Sequence, residues 1–138
     1  MSARVITAPP APRGRPLVGL PLAWAAFVLV LTLTPADDMP ELPPWELISF
    51  DTAAHAFVFV VLAVLAIFSA RRQQAWLWLR RWAYLVVFWG SVAYGLLIEL
   101  LQTVMHMGRH GEWSDALSDS IGVGVGLLFA YATRRWWE

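Results

Sequence analysis

Four apolar runs set the plan of this 138-residue chain. The first, Leu17 to Thr34, is 18 residues long and uncharged, with Pro21 near its start, where a helix tolerates proline. The second, Asp51 to Ser69, carries ionisable groups only at Asp51 and His55. Its 19 residues rise by ~1.5 Å each, which makes roughly 28 Å, the hydrocarbon thickness of a bilayer. The third, Ala83 to Met105, is long enough to span with tilt and holds Glu99 and Gln102 in its last two turns. The fourth starts around Asp115 and ends near Thr133. The pattern predicts an all-α polytopic membrane protein, four transmembrane helices in a bundle spanning residues 17–137.

The connectors differ in charge. Residues 1–16, rich in Pro and Ala with Arg4, Arg13 and Arg15, show no apolar periodicity and read as a disordered cytoplasmic tail. Basic residues ahead of an apolar run also fit a signal peptide, but the run is long for one, and Pro35 sits poorly beside a cleavage point at Ala36. Residues 35–50 are acidic and proline-rich. Arg71, Arg72, Arg80 and Arg81 bracket a short tryptophan-rich connector, and Arg134 and Arg135 follow the last run. Nine of the ten arginines thus fall in the tail, the second connector and the C-terminus, leaving only Arg109 between runs three and four. The positive-inside rule then places both termini in the cytoplasm.

Composition narrows the chemistry further. At 59% hydrophobic and 14% charged, the chain lies outside the usual soluble range. It has neither cysteine nor lysine, so disulfides and thiolate sites are excluded. Zero formal net charge leaves nucleic-acid binding without support.

The remaining polar residues crowd into Glu99–Gly126, with Asp51 and His55 as natural partners. Glu99 lies about 9 Å inside its run, and His55 and Asp119 about 6 Å inside theirs. Glu99, Gln102 and His106 share one helical stripe; Asp115, Asp119, Gly122 and Gly126 share another. A carboxylate at a helix centre costs roughly 2.5–3.5 kcal/mol to insert, so Glu99 and Asp119 should face partners or water. Arg109 is suited to a bidentate bond with Glu99 or Asp115.

Three readings stay open. In the first, the polar groups only clasp the helices together, with Asp51 and Asp115 as caps. In the second, His55, Glu99, His106, His110 and Asp115 supply metal ligands; with no compact signature such as HExxH, no metal or cofactor is expected. In the third, His55 with Glu99 or Asp115 performs acid/base catalysis. Ser114, Ser118 and Ser120 lack the GxSxG frame of a serine nucleophile. Gly122, Gly124, Gly126 and Ala130 form a small-residue surface for close packing, within the bundle or through the Gly122/Gly126 face with a second copy.

The order Asp51-x3-His55, Glu99-x2-Gln102, Arg109-x5-Asp115-x3-Asp119 on a short multi-span chain resembles the VanZ-like family, named after a teicoplanin-resistance protein. The resemblance covers roughly residues 30–133. Asp119 departs from it, because the family usually has Asn there. The resemblance implies a cell-envelope role without an established reaction. Asp51, His55, Glu99, Gln102, Arg109, Asp115 and Asp119 then become the expected ligand-binding set, with an envelope precursor, a lipid-linked molecule or a glycopeptide as the expected class of ligand. A membrane-embedded enzyme acting at the outer leaflet and a purely structural protein are the alternatives.

Overall fold

A computed structural model describes residues 17–34, 50–105 and 113–137. Among them every element is helical: α1 (Gly19–Leu33), α2 (Phe50–Arg72), α3 (Leu77–Arg81), α4 (Ala83–Met105), α5 (Trp113–Thr133) and a closing 3₁₀ turn at Arg134–Trp136. Three stretches, Thr52–Arg72, Ala83–Met105 and Trp113–Trp136, are long and apolar enough to cross a membrane. The first helix is shorter than its apolar run, with 15 residues. It stops where Thr34 turns extended (φ −66°, ψ 130°), because the ring of the following Pro35 disfavours a helical residue before it. In the second connector α3 interrupts what the sequence reads as a plain linker. Gln73 shapes that corner, donating from Nε2 to the Trp76 carbonyl at 2.7 Å and accepting from the Trp76 amide at 2.8 Å.

Contacts along the helices give their directions. Ser118 meets Thr52, Gly122 meets Ala56 and Gly126 meets Val60, so α2 and α5 run parallel. Tyr94 bonds to Ala25 and Gln102 to Thr32, so α1 and α4 also run parallel. Tyr84 packs on Tyr131, and Phe59 on Tyr94, which sets α4 against α5 and α2. The bundle is therefore up-down-up-down. All the arginines of the described residues gather at one end, and the polar stripes meet at the other.

The closest packing joins α2 to α5. A Cβ on Gly122 would run into the Ala56 carbonyl oxygen, and one on Gly126 would lie 2.6 Å from that of Val60 and 3.0 Å from the Ala63 Cβ. Glycine is required at both positions because backbone from the neighbouring helix occupies the side-chain space. The Gly122/Gly126 face is thus filled by α2 of the same chain, whereas Gly124 has open space around it.

Burial follows a lipid-facing plan. Val28, Phe59, Ile67, Ile98, Val123 and Asp119 are fully buried, and His55, Glu99, Gln102, Asp115 and Ser118 are buried as well. Phe57, Trp89, Leu100, Leu117, Val125 and Leu128 are each half or more exposed. Apolar surface outside and ionisable groups inside is the arrangement expected of a bundle solvated by lipid. At the arginine end, Arg72 stacks over Phe68 at 4.8 Å and Arg134 over Tyr131 at 3.9 Å, as guanidinium groups do on aromatic rings at headgroup depth.

Candidate functional site

The site forms where the polar turns of three helices converge. His55 sits in the second turn of α2. Glu99 lies on the inward stripe of α4, with Ile98 and Gln102. Asp115, Ser118, Asp119, Gly122 and Gly126 make one buried stripe on α5. The parallel register of α2 and α5, set by the glycine contact one turn deeper, brings His55 opposite Asp119. His55 Nδ1 and Asp119 Oδ1 are 3.1 Å apart, with side chains 4% and 1% exposed. Glu99 completes the group from α4: one ligand atom from each of His55, Glu99 and Asp119 falls within 4.8 Å of the others.

The two carboxylate oxygens of Asp119 differ. Oδ1 faces His55, while Oδ2 is buried and accepts no hydrogen bond among the described residues. Oδ2 points toward α4, where a Cβ on Gly95 would stand 2.9 Å from it. Gly95 lies one turn before Glu99, and its missing side chain is what leaves room for the Asp119 carboxylate between the helices.

Around this centre, neutral polar groups tie helix to helix. Gln102 Nε2 donates to the Thr32 carbonyl at 2.8 Å. That carbonyl is in the last turn of α1, where no further helical amide follows to bond it. Ser118 Oγ donates to the Thr52 carbonyl at 2.6 Å. Ser120 Oγ donates to Ala116, its own preceding turn. Both serines are thus occupied by backbone bonds. Asp115 is buried inside the first turn of α5 rather than ahead of it, where a negative charge complements the amino-terminal dipole.

Of the expected set, the structure brings together His55, Glu99 and Asp119, with Gln102 and Asp115 buried one turn away on α4 and α5. Asp51 lies in the first turn of α2, and its side chain is outside the described residues. His106, Arg109, His110 and Glu112 are outside them as well, so the expected pairing of Arg109 with Glu99 or Asp115 falls there too. Sequence reasoning missed Thr32, Thr52 and Gly95. A glycine one turn before a membrane carboxylate was a usable signal for Gly95; backbone carbonyls leave none.

An open apolar cleft of about 420 Å³ lies at the opposite end, lined by Val18, Pro21, Ala66, Leu79, Val87 and Gly90 among others. None of the described site residues lines it.

The fold and this centre define a class: a helical membrane protein with a buried histidine–carboxylate cluster near one end of its bundle. The model of the VanZ/LLP1 family matches residues 17–134, and the chain belongs to that family. No curated protein and no solved structure gives a match.

Proposed function

We propose that the protein is a four-span bacterial inner-membrane protein whose polar centre, facing the outer side, recognises an envelope-related ligand. Lipid-linked precursors and glycopeptides of the teicoplanin type are the ligand classes that fit the family resemblance. The observation that carries the reading is Asp119 Oδ2, buried without a hydrogen-bond partner among the described residues. A clasp evolved only for stability would be expected to satisfy both oxygens, since leaving one bare forfeits about 1–3 kcal/mol. In this reading Arg109 holds an anionic group of the ligand, and His55, Glu99, Gln102, Asp115 and Asp119 order the floor beneath it, with Asp51 at the rim.

The orientation rests on the arginines. Arg71, Arg72, Arg80, Arg81, Arg134 and Arg135 share one end of the bundle, which the positive-inside rule assigns to the cytoplasm. Both termini then face the cytoplasm, and α1 crosses despite its short helix because it runs beside α4 from the arginine end to Gln102.

The clasp is the second reading, favoured by the bonds of Gln102 to α1 and Ser118 to α2. Single variants His55→Gln, Glu99→Gln and Arg109→Gln distinguish the two. Each should reach the membrane at normal levels and melt near the parent temperature, yet abolish the change in teicoplanin or lipid-precursor handling that expression of the parent causes. Variants that fold and keep the parent phenotype would refute ligand recognition. Variants that lose phenotype only in proportion to lost stability would establish the clasp.

A further inference from the structure

We infer that His55, Glu99 and Asp119 form a binding site for one divalent transition-metal cation, of the kind that accepts mixed nitrogen and oxygen ligands, such as Zn²⁺ or Mn²⁺. The inference deepens the recognition reading above, since it takes the buried cluster to be a binding centre and names what the centre holds first.

Geometry is the first support. Ligand atoms of a tetrahedral zinc site, with arms of 2.0–2.2 Å, stand about 3.4 Å apart. His55 Nδ1 and Asp119 Oδ1 are already 3.1 Å apart. The three ligand atoms lie within 4.8 Å of one another, so closing Glu99 onto the edge of such a polyhedron needs a movement of at most about 1.4 Å, within the reach of a glutamate rotamer change.

The donor set is the second. All three residues are buried, where an ionised carboxylate is costly unless a cation stands beside it. One imidazole and two carboxylates form a donor set that suits zinc, manganese and iron, and the three arrive from three different helices, as they do in metal sites built inside bundles.

The third support is independent of the cluster's composition. Asp119 is 1% exposed, and its Oδ2 has no hydrogen-bond partner among the described residues while it sits in the gap kept open by Gly95. A buried acceptor with no donor in reach among the described residues is what a ligand oxygen looks like before its cation arrives. The resulting centre would differ from the ligand set suggested by sequence: Asp119 enters it, and His106 and His110 are not needed.

The test uses the full chain in detergent micelles, stripped with chelator and dialysed against ZnCl₂ or MnCl₂, with bound metal counted by elemental analysis. One equivalent per chain is expected. Asp119→Asn and Glu99→Gln should each weaken binding by roughly tenfold or more, while a His106→Gln/His110→Gln double variant binds as the parent does. Because a site variant can misfold, Co²⁺ titration of the parent protein provides a reading without mutation: protein-bound d–d bands should appear that Zn²⁺ displaces. A folded parent that takes up no metal and leaves Co²⁺ with its aqueous spectrum overturns the proposal, as does binding lost only in the double variant. If metal fails to bind while Arg109→Gln still loses the cellular phenotype, ligand recognition survives and the metal does not.

Discussion

Replacing Gly122 by alanine tests whether helix packing sets the geometry of the polar centre. The new methyl group would collide with the Ala56 carbonyl oxygen and come within 3.0 Å of the Ala56 Cα and carbonyl carbon. These are backbone atoms of α2, so no rotamer change relieves the clash; the helices must separate. Gly126 gives a measure of the space required: its Cβ would meet the Val60 oxygen at 2.6 Å, against ordinary contact from 3.4 Å, a separation of at least roughly 0.8 Å at this interface. Overpacking of this kind costs about 1–3 kcal/mol, which for a chain of this size lowers the melting temperature by roughly 3–10 °C. Ala56 follows His55 directly, and Gly122 lies one turn from Asp119. The same separation therefore stretches the 3.1 Å contact between His55 and Asp119 beyond hydrogen-bonding range. Gly124→Ala is the control, because nothing lies within 4 Å of its Cβ position. Thermal unfolding followed by circular dichroism in detergent, with metal or ligand binding measured alongside, gives both readouts. Equal melting temperatures for Gly122→Ala and Gly124→Ala would refute the packing account. Unchanged binding in Gly122→Ala would break the link between packing and site.

Three further outcomes follow from the same contacts. Gln102→Leu removes the bond to the last turn of α1 and should lower stability by about 0.6–1.7 kcal/mol, the range of membrane interhelical hydrogen bonds; no change in the unfolding midpoint would remove this tie between α1 and α4. Val125→Arg, at a half-exposed position in α5, should cost roughly 2.5–3.5 kcal/mol of insertion and cut the membrane-integrated fraction in a glycosylation-tag assay, whereas normal integration would show that this face does not meet lipid. Because the chain has no cysteine, single cysteines at Ala36 or Gly111 should react with an impermeant maleimide from the outer side and one at Gln74 only after lysis; the reverse pattern would invert the topology.

The spans α2, α4 and α5 are legible in the sequence because length and lack of charge are enough to mark a crossing. The stripe Asp115–Asp119–Gly122–Gly126 is legible for a related reason: a single helix fixes which residues share its face, and all four are buried. Helical spacing says nothing about how one helix is rotated or shifted against the next. That His55 meets Asp119 follows from the register of α2 on α5, which backbone contacts at Ala56 and Val60 set. The partners of Gln102 and Ser118 are main-chain carbonyls, which every residue possesses, so no residue type announces them. Gln73 and α3 were hidden for another reason: a buried glutamine that bonds both ways to one tryptophan backbone reads, in sequence, as part of a polar linker.

Asp119 is where these levels meet. Its carboxylate fits between α2 and α4 only because Gly95 carries no side chain, and it faces His55 only because Gly122 and Gly126 let α2 approach α5. Two sets of glycine contacts thus hold a second carboxyl group beside Glu99. An amide there would donate to a neighbouring acceptor and leave Glu99 as the only carboxylate in the trio. The aspartate instead places two carboxyl groups about one imidazole, the donor set on which the proposed cation site rests. Asp119→Asn is accordingly the variant in which fold and charge separate most cleanly: the bundle should keep its helices and its glycine contacts, and lose its preference for a divalent ion.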